Sequence, residues 1–118
     1  MSAGFEVGAA RVEGDRASAL VRVPAELPYF DGHFAGRPVL PAVAQLEALV
    51  VPLCQDVWRD LAAPRRMVRL KFRRVIAPGS ELLVRLERKG DARTVVFTIE
   101  RAGDVASSGT IEFSEAVA

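Results

Sequence analysis

Residues 29–51 read Y-F-D-G-H-F-A-G-R-P-V-L-P-A-V-A-Q-L-E-A-L-V-V, and this stretch decides how the whole chain is interpreted. Its first half is a loop bounded by Gly32 and Gly36 that carries the only histidine, His33. Its second half is apolar and carries one carboxylate, Glu47, fourteen residues later. A loop imidazole and a carboxylate in apolar surroundings indicate two groups that transfer protons.

The apolar half predicts one long central helix from Ala42 to about Asp60. Pro41 suits the first turn of a helix, because its fixed φ is helical and its missing N–H is not needed there. Pro52 is predicted to kink the helix or to divide it, since it cannot donate to the carbonyl of Ala48. Apolar residues recur at three- and four-residue spacing, as a buried helix requires, at Val43, Leu46, Leu49, Val50, Leu53 and Val57.

Strands are predicted on both sides of this helix. Residues 5–12 and 17–23 form one predicted hairpin, and residues 67–75 alternate apolar and basic side chains as a half-buried strand does. Three further strands follow, and Pro78-Gly79 predicts a type II turn before the first of them. We therefore expect a single α+β domain over residues 1–118, with the central helix wrapped by a curved antiparallel sheet of five to six strands.

Composition excludes several classes of function. The chain has 118 residues, of which 50% are apolar, and its net charge of +1 favours neither nucleic acid nor a membrane surface as a partner. No apolar stretch is long enough to span a bilayer, and the N-terminus shows no signal-peptide pattern. The single cysteine, Cys54, excludes an internal disulfide and fits a cytoplasmic protein. We expect Cys54 to be a core residue.

The chemistry predicted for the two titratable groups has simple alternatives. The helical neighbours of Glu47 cannot donate a hydrogen bond, so burial would raise the pKa of its carboxyl and suit it to act as a general acid. Alternatively, Glu47 faces water or caps a backbone group. His33 is either a catalytic base or a structural or exposed loop residue. A metal site is not expected, because the chain has no second histidine and no thiolate cluster, and no cofactor is expected either.

Basic residues concentrate between positions 65 and 74, where no acidic residue occurs. They form either a solvated strand face that discourages aggregation or a docking surface for an acidic partner. The members of this basic cluster are Arg65, Arg66, Arg69, Lys71, Arg73 and Arg74.

Five short segments together resemble one known family. Residues 32–34, 36–41 and 47–49 closely resemble the signature of the hot-dog-fold β-hydroxyacyl-acyl-carrier-protein dehydratases. Residues 71–74 and 78–82 resemble the strand that follows the helix in that family, and the spacing between the histidine and the carboxylate also fits. The short chain is similar to a compact branch of the family, such as the aryl-polyene-type dehydratases.

The resemblance implies a reaction, a partner and an assembly. The chain would convert a (3R)-3-hydroxyacyl thioester to the trans-2-enoyl form, with His33 as the base and Glu47 serving the hydroxyl. Phe34, Val39, Ala42 and Val43 would bind substrate, the last two through N–H groups at the helix start. The family resemblance also implies a homodimer that shares its active sites, and an acyl carrier protein bearing a phosphopantetheine thioester, which the basic cluster would suit.

The chain departs from the family pattern at three positions. Ala35 replaces a proline in the loop, and Ala42 replaces a glycine at the helix start. Val51 stands where the family has a glutamine that helps to orient the acid. Two alternative functions remain open at this point: a hot-dog acyl thioesterase, and a non-catalytic module that binds acyl chains or carrier protein.

Overall fold

The computed structural model describes residues 4–30 and 38–116. Within these ranges the chain forms seven strands and two consecutive helical segments, a π-helix (Ala44–Val50) and α1 (Val51–Val57). A short 3₁₀ turn at Pro28–Phe30 precedes them. The strands are β1 (Glu6–Val7), β2 (Arg11–Glu13), β3 (Arg16–Arg22), β4 (Leu61–Phe72), β5 (Glu81–Arg88), β6 (Thr94–Arg101) and β7 (Asp104–Glu115).

All of these strands belong to one antiparallel sheet. Its order is β1-β3-β5-β6-β7-β4, and β2 also pairs with β3. Alternate residues of β3, β5 and β6 are buried, as expected for strands with one face in the core. The helical segments contribute fully buried Leu49 and Val50 to the same core. An α+β architecture, with helix against antiparallel sheet, is therefore confirmed.

The predicted long helix is wrong in its length and in its type. Helical backbone runs from Ala42 to Val57, but residues 44–50 are π-helical and the α-helix that follows has only seven residues. The N–H of Val51 donates to the carbonyl of Leu46, five residues back, as a π-helix requires. The change to α geometry falls beside Pro52, which has no N–H to donate, and the helical backbone continues through it. The kink or division predicted at Pro52 stays a prediction. No helix in the two described ranges is long and apolar enough to cross a membrane.

The expected number of five to six strands is also wrong, since seven are present in the described part of the chain. Residues 5–12 do not form one strand. They form β1 and β2, with Gly8 between them donating its N–H to the carbonyl of Leu20 at 2.8 Å. The strand predicted over residues 67–75 is also longer at its start, since β4 begins at Leu61, which pairs with Glu115 of β7. The pairing of β4 with β7 shifts register three times along its length.

The type II turn predicted at Pro78-Gly79 is confirmed. Gly79 has a φ of +82°, which the third position of such a turn requires and which glycine adopts without steric cost. The N–H of Ser80 closes the turn on the carbonyl of Ala77 at 3.2 Å. This turn ends the segment that follows β4 and starts β5.

Cys54 lies in the core, as expected. Its side chain has no exposed surface, and burial raises the pKa of the thiol to about 12. A thiol reacts through its thiolate, and a reagent must also reach the sulfur. Both requirements are unmet in the folded chain.

We therefore expect Cys54 to react with a disulfide reagent at pH 8 at least about 100-fold more slowly in the native protein than in denaturant. Absorbance of the released thiol measures both rates. Equal rates under the two conditions would show that the helix does not cover the sulfur.

Candidate active site at the start of the helix

The start of the helix is fixed by backbone hydrogen bonds on both sides of Pro41. The N–H of Leu40 donates to the carbonyl of Ile76 at 2.7 Å, which ties the entry of the helix to the segment after β4. The carbonyl of Pro41 accepts from the N–H groups of Ala44 and Gln45, both at 3.1 Å. The first helical residues are Ala42 and Val43, and both are exposed. N–H groups in a first turn have no partner within the helix, so they can bind an oxygen of a ligand.

The predicted burial of Glu47 is wrong for the single chain, because its side chain is exposed. Every other residue of the π-helix is buried, and Gln45 rather than Glu47 faces the core. Glu47 shares the outward side with Val43, four residues earlier, which is 57% exposed. An acid and an apolar side chain therefore form an outward stripe (Val43 and Glu47) at the start of the helix.

A groove of about 230 Å³ lies beside the helix start. One wall is Val39–Ala42 and the other is Phe72–Val75, and the buried Gln45 lies beneath them. The groove thus brings together two predicted substrate-binding residues, Val39 and Ala42, and two members of the basic cluster within Phe72–Val75. Val43 and Glu47 are not part of its lining.

All six members of the basic cluster are exposed. Arg66 lies 3.7 Å from Glu112 and Arg74 lies 3.9 Å from Asp104, in ion pairs whose side chains are largely in solvent. Exposed pairs at such distances stabilise a fold by at most about 1 kcal/mol. The cluster therefore remains a basic surface along β4 and the segment after it. The expected strict alternation along β4 is interrupted near Arg69, whose φ is +56° and which lies within a register shift.

His33 and Phe34 lie outside the described residues, so their predicted roles stay predictions. The same is true of the loop glycines and Ala35 around them.

A larger groove of about 530 Å³ lies elsewhere, among β2, β3, β5 and β6. It contains none of the residues predicted to bind substrate or carrier. Its charged side chains include Arg16 and Glu87, which pair with each other at 3.4 Å. We therefore place the candidate site at the smaller groove.

The sequence interpretation missed two polar residues beside this site, Gln45 and Ser107. The hydroxyl of Ser107 donates to Oε1 of Gln45 at 2.5 Å, and Nε2 of Gln45 donates to the carbonyl of Leu40 at 3.1 Å. Gln45 is 3% exposed and Ser107 has no exposed surface. A signal for Gln45 was present, since it is a lone amide in an apolar helix, but its partner Ser107 lies 62 residues away in the sequence.

Comparison with known proteins identifies the family. A model of the ApeI-like family, described as ApeI dehydratase, matches residues 9–110. The chain is 32% identical over 112 residues to the 3-hydroxyacyl-(acyl-carrier-protein) dehydratase FabZ of Streptococcus suis, which covers 87% of this chain and 80% of that protein. It is 33% identical over 113 residues to FabZ of Acetivibrio thermocellus, with 86% and 75% covered.

Solved structures agree on the fold. The dehydratase heterocomplex ApeI:P from Xenorhabdus doucetiae superposes with a TM-score of 0.81 at 23% identity, covering 91% of this chain and 95% of that chain. A protein from Thermus thermophilus superposes with a TM-score of 0.62 at 18% identity, covering 93% and 92%. The family resemblance of the sequence is therefore confirmed: the chain has the hot-dog fold and belongs to the ApeI-like dehydratase family.

Proposed function

We propose that this chain removes water from a (3R)-3-hydroxyacyl thioester carried by an acyl carrier protein, giving the trans-2-enoyl thioester. The class of reaction follows from membership of the dehydratase family over residues 9–110, and this match is the observation that carries the proposal. In the structure, Glu47 lies on the outward stripe at the helix start and is exposed rather than buried in the core. Fatty-acid or related acyl-chain biosynthesis is the setting in which such a reaction is needed.

Each step of the reaction has a proposed group. His33 accepts the proton from C2, and the electron pair of that C–H bond forms the C2–C3 double bond. The C3–O bond breaks, and Glu47 gives its proton to the departing hydroxyl, which leaves as water. N–H groups of Ala42 and Val43 stabilise the negative charge that develops on the thioester oxygen. Return of the proton from His33 to Glu47 through solvent completes the cycle.

We further propose that two copies of the chain share their active sites, each site combining His33 of one copy with Glu47 of the other. Two observations support this. The stripe of Val43 and Glu47 is exposed in the single chain although it includes a large apolar side chain. The edge strand β4 has no described strand on its other side, and its end carries Leu70, Phe72 and nearby Val75, which are 37%, 41% and 57% exposed. A second copy placed over these residues would bury them and would surround Glu47 with protein.

The basic cluster is our proposed docking surface for the carrier protein. Arg73 and Arg74 line the groove at the helix start, so a carrier held by them would deliver its thioester arm beside Ala42. Positive charge attracts an acidic partner and speeds its association, mainly at low ionic strength. A cytoplasmic location stays a prediction, supported by a single buried thiol in a chain that needs no disulfide.

Intact mass spectrometry of the carrier protein tests the proposed reaction. After incubation of a 3-hydroxyacyl carrier protein with the purified chain, we expect the thioester to lose one water and to remain attached. Release of free carrier thiol without loss of water would instead identify a thioesterase. Binding of the carrier with no change in its mass would identify a non-catalytic module.

A further inference from the structure

We propose that Gln45 and Ser107 are positioning residues for this reaction: a buried hydrogen-bonded pair that fixes the helix start and the groove beside it. The inference rests on the proposed function, because it assigns the pair to the site where Glu47 acts. Neither residue contacts substrate in this proposal. They act by holding the groups that do.

Gln45 and Ser107 form a polar pair that is buried in an otherwise apolar core. Among the described residues, Gln45 and Ser107 are the polar side chains that are buried, and the residues around them form an apolar core. Burying an amide and a hydroxyl is costly unless their hydrogen bonds are made, and an apolar pair of similar size would avoid that cost. Here both bonds are made, and the described residues contain no buried side-chain nitrogen or oxygen without a partner. Hydrogen bonds are directional, so they fix the rotation of the helix in a way that apolar contacts do not.

The location of Gln45 connects the pair to the acid. Gln45 and Glu47 lie two residues apart, which separates them by about 200° around an α-helix and leaves them on roughly opposite sides in a π-helix as well. Gln45 is 3% exposed while Glu47 is exposed. The bond from Ser107 therefore fixes the buried side of the helical turn, and Glu47 lies on the exposed side of that turn.

The same pair holds one wall of the groove. Nε2 of Gln45 binds the carbonyl of Leu40, and the N–H of Leu40 binds the carbonyl of Ile76. Leu40 is thus held from both sides just before the residues whose N–H groups would face the thioester, Ala42 and Val43.

The opposite wall is held by the neighbour of Ser107 in β7. The carbonyl of Ala106 accepts from the N–H groups of Arg73 and Arg74 at 2.8 and 3.2 Å. Two consecutive residues of β7, Ala106 and Ser107, therefore fix both walls of the groove: one through backbone bonds and the other through Gln45. Loss of the Ser107 hydroxyl would release one wall and leave the other in place.

The consequence for catalysis follows from the geometry that proton transfer requires. A misplacement of about 1 Å in a reacting group costs on the order of 100-fold in rate. Release of the helix start displaces Glu47 and the N–H groups, which act on charge that develops in the transition state, so kcat should fall much more than KM changes.

The test compares Ser107→Ala and Gln45→Met with Gln55→Met as a matched control. Gln55 is also on the helical run, and its Nε2 donates to the carbonyl of Ala62 at 2.8 Å, far along the helix from the site. We expect each of the first two variants to lower kcat by at least about 10-fold with KM changed less than about 2-fold, as loss of transition-state positioning requires. Gln55→Met should lose a comparable hydrogen bond and keep kcat within about 2-fold.

Folding of each variant is measured by thermal unfolding, and amide exchange of residues 40–45 is followed by mass spectrometry. Faster exchange there in Ser107→Ala, but not in Gln55→Met, is the expected result. If the wild type itself forms no enoyl thioester, the proposed function fails, and the exchange experiment still decides whether the pair fixes the helix start. A folded Ser107→Ala protein with wild-type kcat, or with unchanged exchange over residues 40–45, would overturn the inference.

Discussion

Replacing Glu47 with glutamine is expected to lower kcat by about 100- to 10,000-fold, the range found for loss of a positioned acid or base. The amide keeps the size of the side chain but cannot give a proton to the departing hydroxyl. Because Glu47 is exposed in the single chain, the free energy of unfolding of that chain should change by no more than about 0.5 kcal/mol. Initial rates with 3-hydroxyacyl carrier protein, together with thermal unfolding, measure the two effects.

Asp56→Asn is the matched control for this variant. Asp56 is another exposed carboxylate on the helix, located in α1. The same loss of a negative charge there should leave kcat unchanged. More than half of the wild-type rate in a folded Glu47→Gln protein would exclude Glu47 as the acid.

Replacing His33 with alanine is expected to have an effect of similar size, about 100- to 10,000-fold on kcat. His33 is the only histidine, so no other imidazole in the chain can take the proton from C2. A reagent that modifies imidazoles should inactivate the wild type as it modifies His33. Prior binding of a substrate analogue should slow that inactivation. Retention of full activity by His33→Ala would remove the proposed base and with it the mechanism.

Local sequence signals predicted several elements of the fold correctly. Pro41 marked the helix start, and Pro78-Gly79 marked a type II turn. Each of these depends on backbone chemistry that one or two residues determine. The family signature then identified the fold as a whole.

The orientation of Glu47 could not be predicted in the same way. The apolar spacing that predicts a buried helix assumes 3.6 residues per turn, whereas the hydrogen bonds of the π-helix span five residues. Val43 and Glu47 lie outward and Gln45 inward, an orientation fixed by contacts with distant segments such as the bond from Ser107 to Gln45. A sequence pattern cannot show which side of the helix those segments cover.

Contacts between segments far apart in the chain could not be predicted from the sequence either. Gln45 and Ser107 are 62 residues apart, and only the pairing of β7 with its neighbours brings the hydroxyl to the amide. The true start of β4 at Leu61 similarly depends on its pairing with β7, where Leu61 lies opposite Glu115. Both features are determined by strand pairing in the folded sheet, and neither segment alone specifies them.

In the proposed mechanism, His33 of one copy and Glu47 of another form one dehydrating site, and mixing two inactive variants tests this arrangement most directly. A dimer that combines His33→Ala with Glu47→Gln contains one site with both groups intact and one site with neither. After subunit exchange, we expect an equimolar mixture to recover up to about a quarter of wild-type activity, since random pairing in a two-fold dimer makes half of the dimers mixed. No recovery, in a mixture whose subunits are shown to have exchanged, would contradict a shared site.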